Sequence, residues 1–284
     1  GIRKTSDIDG PALLYEKLKG HPGWRVAAGL YSTQKLMALA MGLPVSATED
    51  QVLHHYIKCQ DKRAPPRMVS TGPVKEVVLK GSDVDMGALP IPTYSELDPG
   101  PYLTAGVELA RDPETGRYAA SIHRRKLLSR DTTGLLAPGF QRLHWMIRRA
   151  EEKGQSLEIA AVLGADPALT IATQVKVPLT VDKQPLETAG GFRGEPLELV
   201  RCETIDLAVP ANAEVVIEGH TVPGERISDG PFGEYPGNYL TTGWEVAREA
   251  FVVKVTAITM RRNPIFQAML TGMPMTDNHW LKKW

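Results

Sequence analysis

Cysteine is almost absent from this chain. Cys59 and Cys202 are the only two, they lie far apart, and neither has a CxxC partner. That argues against a disulfide framework and suits two thiols in a reducing compartment. Net charge is absent as well, because 33 basic side chains cancel 33 acidic ones. A neutral chain gives no electrostatic reason to expect nucleic acid or an anionic membrane as partner. One local basic cluster remains, Arg124-Arg125-Lys126. Long apolar runs are missing too. Phe251 to Met260 comes closest, but Lys254 interrupts it, and it falls short of the ~20 residues a membrane helix needs. No signal peptide is expected, since charge begins at Arg3. The cytoplasm is therefore the expected location.

What is present is ample apolar material: 42% of 284 residues are hydrophobic. That length suggests two compact units rather than one. The first third reads as alternating helices and strands, an α/β pattern. Helices are expected over Pro11 to Leu18, Ser32 to Met41 and Thr48 to Cys59, and strands over Trp24 to Ala28 and Val74 to Leu79. A Pro- and Gly-rich passage follows, from Leu89-Pro90-Ile91-Pro92-Thr93 to Leu97-Asp98-Pro99-Gly100-Pro101. It reads as a connector between domains.

Beyond it, strands dominate. Ala105 to Leu109 and Tyr118 to Leu128 flank the turn Asp112-Pro113-Glu114-Thr115-Gly116 and read as a hairpin. Phe140 to Lys153 is the best helix, with Leu143, Met146, Ile147 and Ala150 on one apolar face. Further strands are expected over Leu197 to Cys202, Glu214 to Gly219 and Ala247 to Met260. The last of these should pair through Asn263-Pro264 with Ile265 to Leu270. Many strands with one embedded helix suggest a barrel-like domain. Thr271 to Trp284 has no evident partner and reads as a connection leading onward. The overall expectation is α+β: residues 1–95 an α/β domain, 96–270 a β-barrel domain, 271–284 a linker.

Three places carry possible chemistry. Ser121-Ile122-His123-Arg124 lies on an expected strand, where Ser121 and His123 share one face and Ile122 and Arg124 the other. Arginine there is either surface or an anion site, since its planar fork matches a carboxylate. Asp229-Gly230-Pro231-Phe232-Gly233-Glu234 sets two acids around a tight turn. It is either an ordinary polar loop or a pocket whose paired acids raise one pKa toward neutrality. His144 sits at the edge of the apolar helix face, as a hydrogen-bonded structural residue or a ligand.

Taken in order, these segments resemble the UbiD family of decarboxylases. The resemblance also rests on Gly100-Pro101-Tyr102-Leu103-Thr104-Ala105-Gly106. It rests further on Ala189-Gly190-Gly191-Phe192-Arg193-Gly194-Glu195-Pro196 leading to Val200-Arg201-Cys202-Glu203-Thr204. It runs from about Pro65 to Leu270, and more weakly into the first third. It implies an N-terminal α/β domain, a central split β-barrel holding prenylated FMN, and a further C-terminal domain that this chain does not include. It implies reversible decarboxylation of aromatic, heteroaromatic or α,β-unsaturated acids. The Ser-Ile-His-Arg version resembles members acting on five-membered heteroaromatic acids.

By position, the resemblance makes Arg124 the holder of the substrate carboxylate and Glu234 the general acid–base. Asp229 becomes the acidic partner in the same network. Ser121, Ile122, His123, Arg124, Arg125, Leu143, His144, Val177 and Pro178 would meet the cofactor, and Arg125 and Lys126 are candidates for its phosphate. A flavin prenyltransferase as supplier and a homo-oligomer are also implied. The family's divalent metal, usually manganese, with potassium alongside, has Asn, His and Glu ligands. Here the His is His144, but the other two positions hold Ala119 and Pro185, which cannot ligate. If that segment is extended, Glu187 faces the same side as Pro185 and can stand in. A second reading is a degenerate homologue without cofactor, acting as a structural or regulatory subunit. A third, an ordinary flavin reductase barrel, lacks support from any Gly-rich dinucleotide loop.

Overall fold

A strand has two hydrogen-bonding edges, and most of this architecture follows from which edges are taken. The computed structural model describes residues 10–176, 184–233, 239–240, 248–271 and 275–283. The chain opens with β1 (Leu13–Tyr15) and β2 (Arg25–Ala28), paired antiparallel. The helix expected over Pro11 to Leu18 is not formed. Leu13 to Tyr15 instead takes its backbone hydrogen bonds from a ladder on β2. α1 (Gln34–Ala40) and α2 (Glu49–Gln60) come next, as expected. Thr48 caps α2 through a capping box: Thr48 Oγ1 accepts from Gln51 N at 3.3 Å and Gln51 Oε1 accepts from Thr48 N at 2.8 Å.

β3 (Arg67–Met68) and β4 (Val77–Lys80) follow, the latter starting late because Pro73–Lys75 forms a 3₁₀ turn. Then come β5 (Tyr102–Leu103), β6 (Val107–Arg111), β7 (Tyr118–Ile122), β8 (Arg125–Ser129) and β9 (Thr132–Leu135). The β6–β7 hairpin forms as expected, with Val107 opposite Ile122. The single strand expected over Tyr118 to Leu128 does not. It breaks at His123 and Arg124, and β7 and β8 go to opposite parts of the sheet.

The second half supplies α3 (Arg142–Glu152), β10 (Glu158–Leu163), α4 (Pro167–Gln174), α5 (Pro185–Arg193), β11 (Glu198–Arg201) and β12 (Ala208–Pro210). β13 (Val215–Asp229), β14 (Phe232–Gly233), β15 (Tyr239–Leu240), β16 (Arg248–Met260), β17 (Ile265–Ala268) and α6 (Asp277–Leu281) complete it. α3 buries Leu143, Met146, Ile147 and Ala150, the face read from the sequence. α4 and α5 were not expected. Both are buried nearly all round, so they show no polar stripe to mark a helical period.

The main sheet has nine strands in the order β5-β8-β9-β16-β13-β10-β6-β7, with β4 also on β16. β7 ends that order, while β8 lies next to its other end, yet only residues 123 and 124 join them. Three residue steps span at most about 11 Å, so the sheet must curl until its ends approach. No ladder closes it among the described residues, and the fold is α+β with a large curled sheet.

The expected β16–β17 hairpin is also absent. Both edges of β16 are occupied, by β13 on one side and by β9 and β4 on the other. β17 instead runs parallel to β2, completing the sheet β1-β2-β17. The end of the chain also finds a partner, against expectation. α6 packs beside α1, Leu281 is buried, and Tyr31 N donates to Asp277 Oδ1 at 2.7 Å. One hydrophobic cluster therefore draws residues from Tyr31 to Val74 and from Ala105 to Leu281. Among the described residues no helix is long and apolar enough to cross a membrane. Both cysteines are free thiols.

A buried ion pair and a buried lone carboxyl in this framework yield predictions. Arg125 and Glu108 are both 0% exposed and form a bidentate pair, Nε donating to Oε1 at 2.8 Å and Nη2 to Oε2. Glu108→Ala strands the arginine and is expected to cost about 3–5 kcal/mol, whereas Glu108→Leu with Arg125→Met costs far less. Urea unfolding of the two proteins checks this, and equal losses would overturn it. Burial raises the Asp277 carboxyl to about 6. The folded chain then binds that proton more tightly than the unfolded one. This contribution is fully present below the ordinary carboxyl pKa of about 4 and is lost as pH rises through about 6. Asp277→Asn keeps an oxygen for the Tyr31 N–H. It should be more stable near neutrality by on the order of 3 kcal/mol, with no advantage in acid. Thermal unfolding across that pH range is the measurement.

Candidate active site

The link that curls the sheet also places an arginine. Arg124 lies between β7 and β8, and Asp229 ends β13. Arg124 Nε and Nη2 both donate to Asp229 Oδ2, at 2.9 and 2.5 Å. The arginine side chain is 10% exposed and the carboxylate 0%. Such a charge-assisted pair fixes the plane of the guanidinium. Beneath it lies Phe232, with the Arg124 Cζ 4.3 Å from the ring centre. Tyr102 packs on the same ring at 4.6 Å between centroids.

The turn between Asp229 and Phe232 needs Gly230, whose φ is 108°. Asp98 holds the far side of the loop. Its Oδ1 accepts from Gly233 N at 3.2 Å and its Oδ2 from Ser95 N at 3.0 Å. Burial raises the Asp98 carboxyl, and hydrogen bonds together with the Arg124 charge oppose the rise. Thr271 Oγ1 donates to Gly233 O at 2.6 Å. Glu234, Val177 and Pro178, three residues assigned roles from the sequence, lie outside the described residues.

Although the strand ends at Ile122, the Ser121 and His123 side chains lie together and bond directly at 2.8 Å. His123 Nδ1 meets Leu136 O at 3.0 Å, so the proton sits on Nδ1. Nε2 then accepts from the Ser121 hydroxyl, whose oxygen presents its remaining lone pair elsewhere. Burial lowers His123 to about 4, so the ring stays neutral near pH 7. His144 Nδ1 meets Ala137 O at 2.9 Å, which makes its Nε2 the acceptor. Ser121, Ile122, Arg124 and His144 all keep some exposed surface.

Three other expected cofactor contacts are placed differently. Leu143 is packed into a core cluster with Ala110, Ala119 and Leu135, so its side chain is not offered to a ligand. His123 is itself buried. Arg125 is turned inward onto Glu108, so it does not reach a phosphate at the surface. The metal expectation fails in its premise. Pro185 to Arg193 is a helix, not an extended segment. Two positions on a helix are about 200° apart, so Glu187 cannot take over the direction of Pro185. Ala119 is buried and offers only a methyl group. Among the described residues no group of three or more His, Cys, Asp or Glu is placed to hold a metal.

This geometry can be set beside known proteins. The model of the 3-octaprenyl-4-hydroxybenzoate carboxy-lyase Rift-related domain (UbiD) matches residues 67–274, and that of the N-terminal domain matches residues 2–55. The chain belongs to the UbiD family. UbiD-class HmfF from Pelotomaculum thermopropionicum, solved in complex with FMN, is similar with a TM-score of 0.84 and 40% identity. That match covers 95% of this chain and 58% of HmfF. Vanillic acid decarboxylase of Sedimentibacter hydroxybenzoicus in closed form is similar with a TM-score of 0.91 and 29% identity, covering 99% and 60%. Anhydromevalonate phosphate decarboxylase of Methanothermobacter thermautotrophicus is 34% identical over 246 residues, 86% of this chain and 54% of the relative. The chain thus spans a little over half the length of these UbiD relatives.

Asp98, Tyr102 and Phe232 form part of the site but were not singled out in the sequence. Asp98 was read only as part of a Pro-Gly connector, because nothing local shows that its carboxylate meets Gly233, 135 residues on. The metal reading has a direct check. Purified protein is expected to carry manganese well below one ion per chain by plasma mass spectrometry. Stoichiometric manganese would overturn the fit argument.

Proposed function

We propose that the protein containing this chain is a non-oxidative, reversible decarboxylase. It acts on an aromatic, heteroaromatic or α,β-unsaturated carboxylic acid with prenylated FMN. The observation that carries the reading is the buried Arg124–Asp229 pair at the seam of the curled sheet, with the arginine partly open to solvent. A lone surface arginine needs no buried acid to aim it; a carboxylate receptor does. Support also comes from HmfF, which is solved with FMN and, in an evolved dimeric form, with prFMN.

A flavin suits the residues present. Ile122 offers a half-buried apolar side chain on the Arg124 face, and Ser121 and His144 each keep a partly exposed polar atom. The family's metal does not suit them, and no step is assigned to one. Arg124 holds the substrate carboxylate, and Asp229 keeps the guanidinium plane from turning. Phe232 and Tyr102 keep water from the inner side of that pair, which strengthens it. When bound, prenylated FMN supplies the sink for the electron pair left as carbon dioxide departs. Glu234 delivers the proton to the carbon that lost its carboxyl group, and in the reverse direction removes it. The Ser-Ile-His-Arg sequence directs us to five-membered heteroaromatic acids as substrates. A flavin prenyltransferase as supplier, a homo-oligomeric state and a cytoplasmic location belong to the same proposal.

A second reading, a structural or regulatory subunit without cofactor, is favoured by one observation, the loss of ligands at Ala119 and Pro185. A single experiment separates the two. The complete gene is co-expressed anaerobically with a flavin prenyltransferase, and the small molecule released from the protein is weighed by mass spectrometry. Prenylated FMN is expected; an empty protein, beside a family member that loads normally, favours the subunit reading. In the loaded protein Glu234→Gln is expected to lower kcat by about 10²–10⁴-fold with the flavin retained. Undiminished turnover would remove Glu234 from its role.

A further inference from the structure

Asp229 has two carboxylate oxygens, and the Arg124 contacts use one. Oδ2 takes both arginine donors, whereas Oδ1 is buried and, among the described residues, without a hydrogen-bond partner. The Tyr102 hydroxyl is in the same condition. An orphaned buried acceptor and an orphaned buried donor are each costly, and each is what the other lacks. They are also neighbours. Tyr102 stands on β5 opposite Lys126 of β8, two residues beyond Arg124. Its ring lies against Phe232, three residues beyond Asp229, and the same Phe232 ring carries the guanidinium. Burial first, and then the Asp229 charge, push the Tyr102 phenol upward, while the Arg124 charge and the Gly230 backbone oppose the rise, so the phenol lies beside both the carboxylate and Gly230.

We propose that the Tyr102 hydroxyl is the second donor to Asp229, closing on Oδ1, and that Tyr102 is thereby a positioning residue for Arg124. The phenol holds the carboxylate by one oxygen and the guanidinium holds it by the other. With Oδ1 anchored, rotation of the carboxylate is blocked and Oδ2 stays aimed at Nε and Nη2. Tyr102 does not meet the substrate; it sets the plane that does. The hydrogen bond itself depends only on the fold. Its effect on substrate rests on the decarboxylase reading above.

The test is a double-mutant cycle in the complete protein: wild type, Tyr102→Phe, Asp229→Ala and the pair together. Thermal unfolding reads the bond without reference to activity. Tyr102→Phe is expected to lower Tm when Asp229 is present and to change it little in the Asp229→Ala background. Equal losses in both backgrounds would mean that the tyrosine acts through ring packing alone, and would overturn the proposal. If Asp229→Ala does not fold, the Arg124→Met/Asp229→Leu background, which removes both charges and leaves no acceptor, takes its place in the cycle. Kinetics read the positioning. Tyr102→Phe is expected to raise KM for the acid about tenfold, the scale of one hydrogen bond to a charged group, with a smaller change in kcat. Unchanged KM alongside coupled Tm values would overturn the positioning role. A wild-type protein that turns over no acid would count against the decarboxylase reading, and the thermal cycle would then decide the Tyr102–Asp229 bond alone.

Discussion

Two adjacent arginines point opposite ways at the seam of the sheet, and each is answered by a buried acid. Arg125 turns inward to Glu108 on β6, and Arg124 turns toward Asp229 at the end of β13. Neither pairing is local: the partners are 17 and 105 residues away in sequence. β7 and β8 cannot follow one another across this gap unless the sheet curls, and the curl brings β6, β8 and β13 to one place. An isolated buried charge is costly enough that losing either acid would favour opening the seam. The same constraint that shapes the sheet therefore orients the guanidinium available to a carboxylate ligand.

The two pairs differ in what they leave exposed. Arg125 and Glu108 are sealed, which suits a structural tie. Arg124 keeps a partly open edge and rests on Phe232, with Asp98 and Thr271 holding Gly233 just beyond. The acidic loop is thus tied down from the connector on one side and from the segment after β17 on the other. That arrangement explains how a loop rich in glycine can still present a defined carboxylate. On the same link, the Ser121–His123 contact commits the serine proton to a neutral imidazole.

Several elements were legible because their information is local. The Thr48–Gln51 capping box announced α2, the apolar stripe from Leu143 to Ala150 announced α3, and the Asp112 to Gly116 turn announced the β6–β7 hairpin. The elements that were misread depend on what is already taken. Ile265 to Ala268 would have paired with β16 had one of its edges been open. α4 and α5 lost their periodic signature because the core surrounds them. The short segment at Leu13 became a strand because β2 offered an edge.

By itself the sequence determined which residues were worth asking about: Arg124, Asp229 and His144, with Ala119 and Pro185 where the resemblance implies metal ligands. Those are statements about side-chain chemistry, which does not depend on where the chain goes. Only the tertiary structure decided that Arg125 faces inward, that Leu143 belongs to the core, and that Pro185 begins a helix. It alone brought Asp98 and Tyr102 to the arginine. Such facts follow from which strand edges were free and which charges had to be buried together. Those conditions exist only once distant parts of the chain have met.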